Sequence, residues 1–366
     1  MKKKIIFTGG GTAGHVTPNI AMFGRFKDNG WDIAYIGSYE GMEKGLIEQE
    51  GVPYYGIATG KFRRGKSFKE LSRNFTDIFR VMKGIGESKK LLKELKPDVI
   101  FSKGGFVSVP VVKAAKKLNI PVVIHESDLT PGLANKLSYS AATKICCNFP
   151  ETLVYLPEGK AVLTGSPIRQ KLFEGDAQRG RQFSGMTGKK PILLIIGGSS
   201  GAQKVNDAVR NLLPTLLEKF QVIHLCGKGK KDDSRDGTAG YIQYEYISDE
   251  LPDLFAAADL VISRAGANAI CELLALKKPM LLIPLSTGRG DQILNADSFE
   301  KQGFANVLDE RELSNETLLE AVNKTFAKKD ELIKNMEKAS QSDAIKLIYD
   351  IVSEAAGVTD SKRRIK

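Results

Sequence analysis

Two stretches of the chain combine glycine turns with side chains able to do chemistry. They are Gly9-Gly10-Gly11-Thr12-Ala13-Gly14-His15 and Gly197-Gly198-Ser199-Ser200-Gly201-Ala202. Each follows an apolar run and precedes a helical pattern. Glycine lets backbone N–H groups approach an anion closely, and a helix N-terminus adds partial positive charge, so both stretches read as phosphate-facing loops. Thr12 and His15 add a hydroxyl and a titratable ring to the first, and Ser199 adds a donor to the second. Neither has the dinucleotide fingerprint. Gly9, Gly11 and Gly14 match it only by sliding along a glycine run, and Gly37-Ser38 stands where an acidic residue would close the second strand.

Three more segments carry polar groups at the ends of predicted strands. In Ser263-Arg264-Ala265-Gly266-Ala267-Asn268, Gly266 permits a tight turn, and Ala267 and Asn268 open a helix whose first N–H groups can face a phosphate. Glu272 follows about one and a half turns later, a carboxylate suited to a ribose diol. Asp291 and Gln292, after the next strand, could hydrogen-bond the hydroxyls of a sugar; as a bland alternative, Asp291 starts a helix. Arg169 offers a planar, permanently charged fork to a diphosphate at the junction of the two halves. In the first half, Lys103-Gly104-Gly105-Phe106-Val107-Ser108 is another glycine turn, and His125-Glu126-Ser127-Asp128 ends the next strand. A general base is expected among His15, His125, Glu126 and Asp128. His224 sits within a predicted strand and reads as core. No Ser-His-Asp or Cys-His arrangement is evident, and Cys146, Cys147, Cys226 and Cys271 read as free thiols without zinc-ligand spacing.

Positioning these groups takes an alternating pattern of short apolar runs and helical stretches, the mark of parallel sheets covered on both faces. Seven strands are expected before residue 165 and six after residue 190. The fold class is therefore α/β, two doubly wound, Rossmann-like parallel-sheet domains facing across a cleft. The boundaries are an N-terminal domain over 1–164, a linker over 165–190 marked by scattered glycines, a C-terminal domain over 191–345, and a terminal helix and polar tail over 346–366. The helix is expected to pack back on the N-terminal domain.

Charge is uneven. Residues 1–165 hold 25 Lys and Arg against 15 Asp and Glu, a net of +10, out of +11 for the chain. That half should meet an anionic partner. Its basic run, with Lys61, Arg63, Arg64 and Lys66, leads into a helical segment carrying Ile78, Phe79 and Met82. Cations beside an apolar helical face fit an anionic membrane surface. Nucleic acid is disfavoured because the aromatics are not interleaved as a stacking platform. No signal peptide is expected, and no apolar run approaches the roughly 20 residues of a membrane span.

The set Gly10–His15, Gly104-Gly105-Phe106-Val107-Ser108, His125-Glu126, Gly201-Ala202, Arg264-Ala265-Gly266, Glu272, Asp291-Gln292 and Asn295-Ala296 resembles, in order and spacing, the peptidoglycan N-acetylglucosaminyltransferases of the MurG type. The resemblance covers nearly the whole chain. It implies a GT-B glycosyltransferase that moves N-acetylglucosamine, with inversion, from UDP-GlcNAc to the 4-hydroxyl of lipid I, giving lipid II. It implies no cofactor and no metal. By resemblance, Ile247 meets the uracil through its backbone, the loop from Ala267 and Asn268 meets the diphosphate, and Glu272 meets the ribose. Gln292 meets the sugar, and Ser199 and Arg169 border the diphosphate. Thr12, Ala13, Gly14 and His15 are then placed near the acceptor's diphosphate and the reacting sugar. The partners implied are UDP-GlcNAc, lipid I and anionic lipids, on the cytoplasmic face of the cell membrane as a peripheral protein. The family commonly has glycine at Ala13 and asparagine at Asp128, and a carboxylate cannot donate as an amide does. Two other functions fit the architecture: a UDP-GlcNAc 2-epimerase, and a non-catalytic nucleotide-sugar-binding paralogue.

Overall fold

Strands such as Ile5-Ile6-Phe7 and Ile192–Leu194 are wholly buried on both faces, so each sheet needs helices on both sides. The computed structural model describes residues 2–60, 68–198, 201–287, 290–339 and 343–358, with the side chains of all but 68–76. The chain divides into two units, Met1–Arg169 with Ser342–Lys366, and Gln170–Gln341.

In the first unit the strands are β1 (Lys4–Thr8), β2 (Asp32–Ser38), β3 (Tyr54–Ile57), β4 (Val99–Ser102), β5 (Val122–Glu126), β6 (Lys144–Cys147) and β7 (Ala161–Leu163). They form one parallel sheet in the order β3-β2-β1-β4-β5-β6-β7. Helices α1 (Thr17–Asp28), α2 (Met42–Gln49), α3 (Phe68–Leu95), α4 (Ser108–Lys117) and α5 (Leu133–Ser138) lie along the chain between them. The second unit opens with α6 (Ala177–Ser184). Its strands are β8 (Ile192–Ile196), β9 (Gln221–Leu225), β10 (Tyr241–Tyr244), β11 (Leu260–Ser263), β12 (Met280–Leu282) and β13 (Ala305–Val307), in the order β10-β9-β8-β11-β12-β13. Helices α7 (Gln203–Asn211), α8 (Leu213–Lys219), α9 (Leu251–Ala257), α10 (Ala267–Ala275), α11 (Asp291–Lys301), α12 (Asn315–Ala327) and α13 (Lys329–Lys338) complete it.

Both sheets reverse direction at their first strand. β1 lies between β2 and β4, and β8 between β9 and β11. Such switch points leave a crevice beyond the strands' carboxyl ends, where doubly wound folds take ligands. Thr8 pairs with Ser102 in register, so the loops after β1 and β4 leave the sheet side by side. Gly197 and Gly198, directly after β8, occupy the matching place in the second sheet.

The segment 165–190 does not behave as a spacer beyond its first few residues. From Gln170 it belongs to the second unit, and α6 packs along α9. Arg179 Nε donates to Asp253 Oδ2 at 3.0 Å. Gly175 and Gly180 read in the sequence as chain breakers. They are instead close-approach sites, since a Cβ on either would collide with the carbonyl of Pro252 or Asp253.

The last helix, α14 (Ala344–Ala355), belongs to the first unit. Its fully buried Ile348 and Val352 join Phe23, Phe26 and Trp31 in that unit's core. Trp31 Nε1 donates to Tyr349 Oη at 3.3 Å, and the Arg25 guanidinium stands 5.2 Å from the Tyr349 ring centre. Among the described residues no helix is long and apolar enough to cross a membrane. Trp31 is the chain's single tryptophan, so its fluorescence reads the first unit alone. Ile348→Ala should lower that unit's urea unfolding free energy by about 2–5 kcal/mol, the usual loss when a buried aliphatic side chain leaves a cavity. Equilibrium unfolding followed at Trp31 measures it.

Candidate active site

The first loop is built around a buried carboxylate that sequence reasoning passed over. Glu43, on α2, has no solvent exposure. Its Oε2 accepts from Gly11 N at 3.3 Å, and its Oε1 from Ser38 N at 3.1 Å and from the Ser38 hydroxyl. A Cβ at Gly41 would strike this carboxylate, which explains the small residue there. At least one N–H of the supposed phosphate cradle is therefore turned inward. Ala13 opens a 3-10 turn, and outside glycine only Lys96, Asn119 and Lys277 of the described residues carry positive φ. Alanine thus fits where the family commonly has glycine. His15 is half-buried, with Nδ1 2.9 Å from Thr12 Oγ1, a contact that orients the ring.

The second glycine turn backs directly onto the first. Gly105 has φ +76°, and a Cβ there would collide with the Gly10 carbonyl and come within 3.4 Å of His15 Nδ1. Only glycine meets both demands. The two loops, with Ser38 to Glu43, Ile57 to Gly60 and the middle of α3, line a cavity of about 930 Å³ in the first unit. Tyr39, Met42, Phe106 and Val107 line it, and Arg80 and Lys83 bring positive charge to it.

At the end of β5, His125 and Glu126 turn out to be scaffolding, which corrects their expected place among the bases. Glu126 is 4% exposed. Its Oε1 accepts from Ser127 N (2.9 Å) and Asp128 N (3.3 Å), and its Oε2 from Gly132 N (3.0 Å) and Asn135 Nδ2 (2.9 Å). It pins the loop from Ser127 to Gly132. Burial raises its pKa, against the lowering effect of the Asn135 hydrogen bond. His125 is fully buried, and its Nε2 donates to the Gly165 carbonyl at 2.9 Å. That leaves Nδ1 to accept from Lys103 Nζ at 2.6 Å. Lys103, 1% exposed, also donates to Ser127 Oγ. Burial, together with the adjacent Lys103 ammonium, holds the His125 pKa well below the usual imidazole value. A lysine ending an otherwise apolar strand was the signal in the sequence for this buried contact. Asp128 remains half-exposed on the pinned loop.

In the second unit, Gly201 has φ +65°, and a Cβ there would strike the Cys226 carbonyl, so Gly201 lies close against the end of β9. Ser199 lies outside the described residues, as do Lys61, Arg63, Arg64 and Lys66. Gly266 caps α10 in extended conformation, and Ala267 and Asn268 occupy its first turn. Glu272 is the helix's sixth residue and half-buried. Gly290, with φ +78°, precedes α11, so Asp291 and Gln292 are its first two residues. Gln292 Oε1 accepts from Leu285 N at 3.0 Å, so its amide N–H groups are what it has to offer a sugar oxygen. Ile247 lies in the loop after β10, and Arg169 is half-buried at the end of the first unit's main segment. Sequence reasoning also missed an ion pair behind these loops. Arg264 Nη2 donates to Glu310 Oε1, and Arg264 Nη1 to Ile283 O at 3.0 Å. Glu310 Oε2 accepts from Ser286 N at 3.2 Å and from Ser286 Oγ at 2.7 Å. Glu310 stands in the charged run Asp309-Glu310-Arg311-Glu312, which reads as surface; its burial has no signature in the sequence.

Two parallel-sheet α/β units, each with glycine loops and helix N-termini gathered at its switch point, define a two-domain glycosyltransferase of the GT-B type. Residues 5–147 match the glycosyltransferase family 28 N-terminal domain, and residues 192–351 match the family's C-terminal domain. A UDP-N-acetylglucosamine–N-acetylmuramyl-(pentapeptide) pyrophosphoryl-undecaprenol N-acetylglucosamine transferase of Lachnospira eligens is 61% identical over 96% of this chain and 99% of its own. The enzyme of that name from Geobacillus thermodenitrificans is 53% identical over 97% and 100%. The chain belongs to this family of transferases. Among solved structures, Acinetobacter baumannii MurG has a TM-score of 0.75 at 24% identity, covering 97% of this chain and 100% of its own. The UDP-GlcNAc 2-epimerase of Methanocaldococcus jannaschii shares the fold, with a TM-score of 0.66 at 15% identity over 97% and 100%.

The neutral, buried His125 makes the first unit sensitive to acid. Unfolded, this histidine takes a proton below pH about 6.5, while folded it stays neutral to lower pH. The unfolded state therefore binds more protons as the pH falls. Stability is lost on acidification, by at most about 1.4 kcal/mol per pH unit below 6.5. Urea midpoints read at Trp31 between pH 7.5 and 5.5 should drop in the wild type and drop less in His125→Gln.

Proposed function

We propose that the protein transfers N-acetylglucosamine from UDP-GlcNAc to the 4-hydroxyl of the N-acetylmuramoyl sugar of lipid I, forming lipid II with inversion at C1. The observation that carries this reading is the 61% identity to a transferase of that name across 96% of the chain and 99% of the relative. The second unit takes the donor. The N-terminus of α10, with Ala267 and Asn268, accepts the diphosphate, and the resemblance adds Ser199 and Arg169 to the residues that bind it. Glu272 binds the ribose diol, Ile247 the uracil through its backbone, and Gln292 and Asp291 the sugar hydroxyls. Charge building on the departing UDP is met by fixed N–H dipoles and arginine, with no metal or other cofactor in the scheme.

The first unit takes the acceptor, with Thr12 lining the cavity and Ala13 and Gly14 next to it in the chain. His15, oriented by Thr12, is the leading candidate to remove the proton from the attacking hydroxyl. Asp128, held on the loop that Glu126 pins, is the second. Label from radioactive UDP-GlcNAc should move into a lipid I analogue. N-acetylmannosamine formed without lipid would instead favour an epimerase, and UDP binding without turnover a non-catalytic paralogue. Glu272→Ala should raise the donor KM about tenfold or more, as loss of a charged hydrogen-bonding partner does, with the acceptor KM unchanged. An unchanged donor KM sinks the ribose assignment.

The acceptor's polyprenyl chain keeps it in a membrane, and the reading places the protein peripherally on the cytoplasmic face, where it supplies the wall precursor on which cell shape and division depend. Support comes from α3, where Ile78, Phe79 and Met82 are 46%, 59% and 63% exposed beside Arg80 and Lys83. Three exposed apolar side chains on two adjacent turns are a poor surface for water and a good one for a lipid interface. Co-sedimentation with phosphatidylglycerol vesicles should weaken with salt and on neutralising Arg63, Arg64 and Lys66. Binding indifferent to both would remove that patch from the reading.

A further inference from the structure

We infer that Glu310 is a positioning residue for the sugar-nucleotide donor: its one buried carboxylate clasps the loop entering α10 to the loop entering α11. The inference rests on the assignment of those two loops to the donor. One carboxylate oxygen holds the Arg264 guanidinium, and the other holds both the backbone N–H (3.2 Å) and the hydroxyl (2.7 Å) of Ser286. Arg264 is two residues before Gly266, the cap of α10. Ser286 is four residues before Gly290, the cap of α11. Arg264 reaches on to the Ile283 carbonyl at 3.0 Å, so the carboxyl ends of β11 and β12 are laced to the segment after β13. Two lighter contacts run alongside: Asn295 Nδ2 to Ala265 O at 3.2 Å, and Leu285 N to Gln292 Oε1 at 3.0 Å.

The pair is shielded from water, with side-chain exposures of 12% for Arg264 and 2% for Glu310. A buried ion pair adds little net stability over an apolar filling, but it fixes geometry, and removing one partner strands the other's charge. Glu310 points all of its hydrogen-bonding capacity at the two loops. A donor with its diphosphate at α10 and its sugar at Gln292 spans both loops and feels their spacing. The acceptor does not. Glu310 touches no substrate in this scheme and acts through Arg264 and Ser286.

The test uses the full-length chain and two substitutions of different severity. Glu310→Gln keeps an oxygen for Arg264 but turns an amide N–H toward the Ser286 N–H. Ser286→Ala removes one hydrogen bond and leaves the ion pair intact. UDP-GlcNAc affinity without acceptor is read by calorimetry, KM for UDP-GlcNAc and for a lipid I analogue by label transfer, and folding by the melting curve. The expected result is a rise in UDP-GlcNAc Kd and donor KM of about tenfold for Glu310→Gln and about threefold for Ser286→Ala, with the acceptor KM unchanged. Equal effects on both substrates, scaling with the folded fraction, would overturn the inference, as would a UDP-GlcNAc Kd within about twofold of wild type in either folded variant. If Glu310→Gln does not fold, Ser286→Ala decides alone. Calorimetry without acceptor needs no transfer, so failure of the wild type to label the lipid counts against the transferase reading and leaves the clasp to be judged on Kd.

Discussion

A carboxylate taken out of water has to find hydrogen-bond donors, and near the carboxyl end of a parallel sheet the nearest donors are the N–H groups of the loops that leave it. Three glutamates meet this constraint in the same way. Glu43 accepts from Gly11 and Ser38, Glu126 from Ser127, Asp128 and Gly132, and Glu310 from Ser286. Each is at most 5% exposed. Each fixes a loop that has no strand or helix of its own to hold it. The side chains assigned to substrate sit on or beside these loops: His15 and Asp128 in the first unit, and Gln292 in the second.

This division of labour separates groups that hold from groups that act. Buried Glu126 and His125 are engaged by backbone and by Lys103, and so have nothing to offer a substrate. Half-buried His15, Asp128 and Glu272 keep access. A glycosyl transfer needs fixed dipoles around a leaving diphosphate more than it needs a potent nucleophile. Rigid loops at helix N-termini supply that without reorganisation during the reaction.

The sheets were legible because their strands are short, apolar on both faces and separated by helical patterns. The seven-plus-six strand count and most of the strand limits follow from that alone. The glycine loops were equally legible, since a turn that backs onto another segment excludes side chains. The same rule misled at 165–190, where Gly175 and Gly180 mark tight packing and not a spacer. Glu43 and Glu310 were illegible for a different reason. A charged residue in a charged neighbourhood reads as solvated, and its burial depends on donors brought to it by strands far away in sequence.

The chain's last helix has a consequence for how the protein is made. Because α14 completes the core around Trp31, the first unit remains unfinished while all of Gln170–Gln341 is being synthesised. Its open face, where Phe26 and Trp31 meet Tyr349 of α14, waits for a segment that emerges after residue 341. The second unit is whole before the first is. On the ribosome, then, the half proposed above to take the donor matures ahead of the half proposed to take the acceptor.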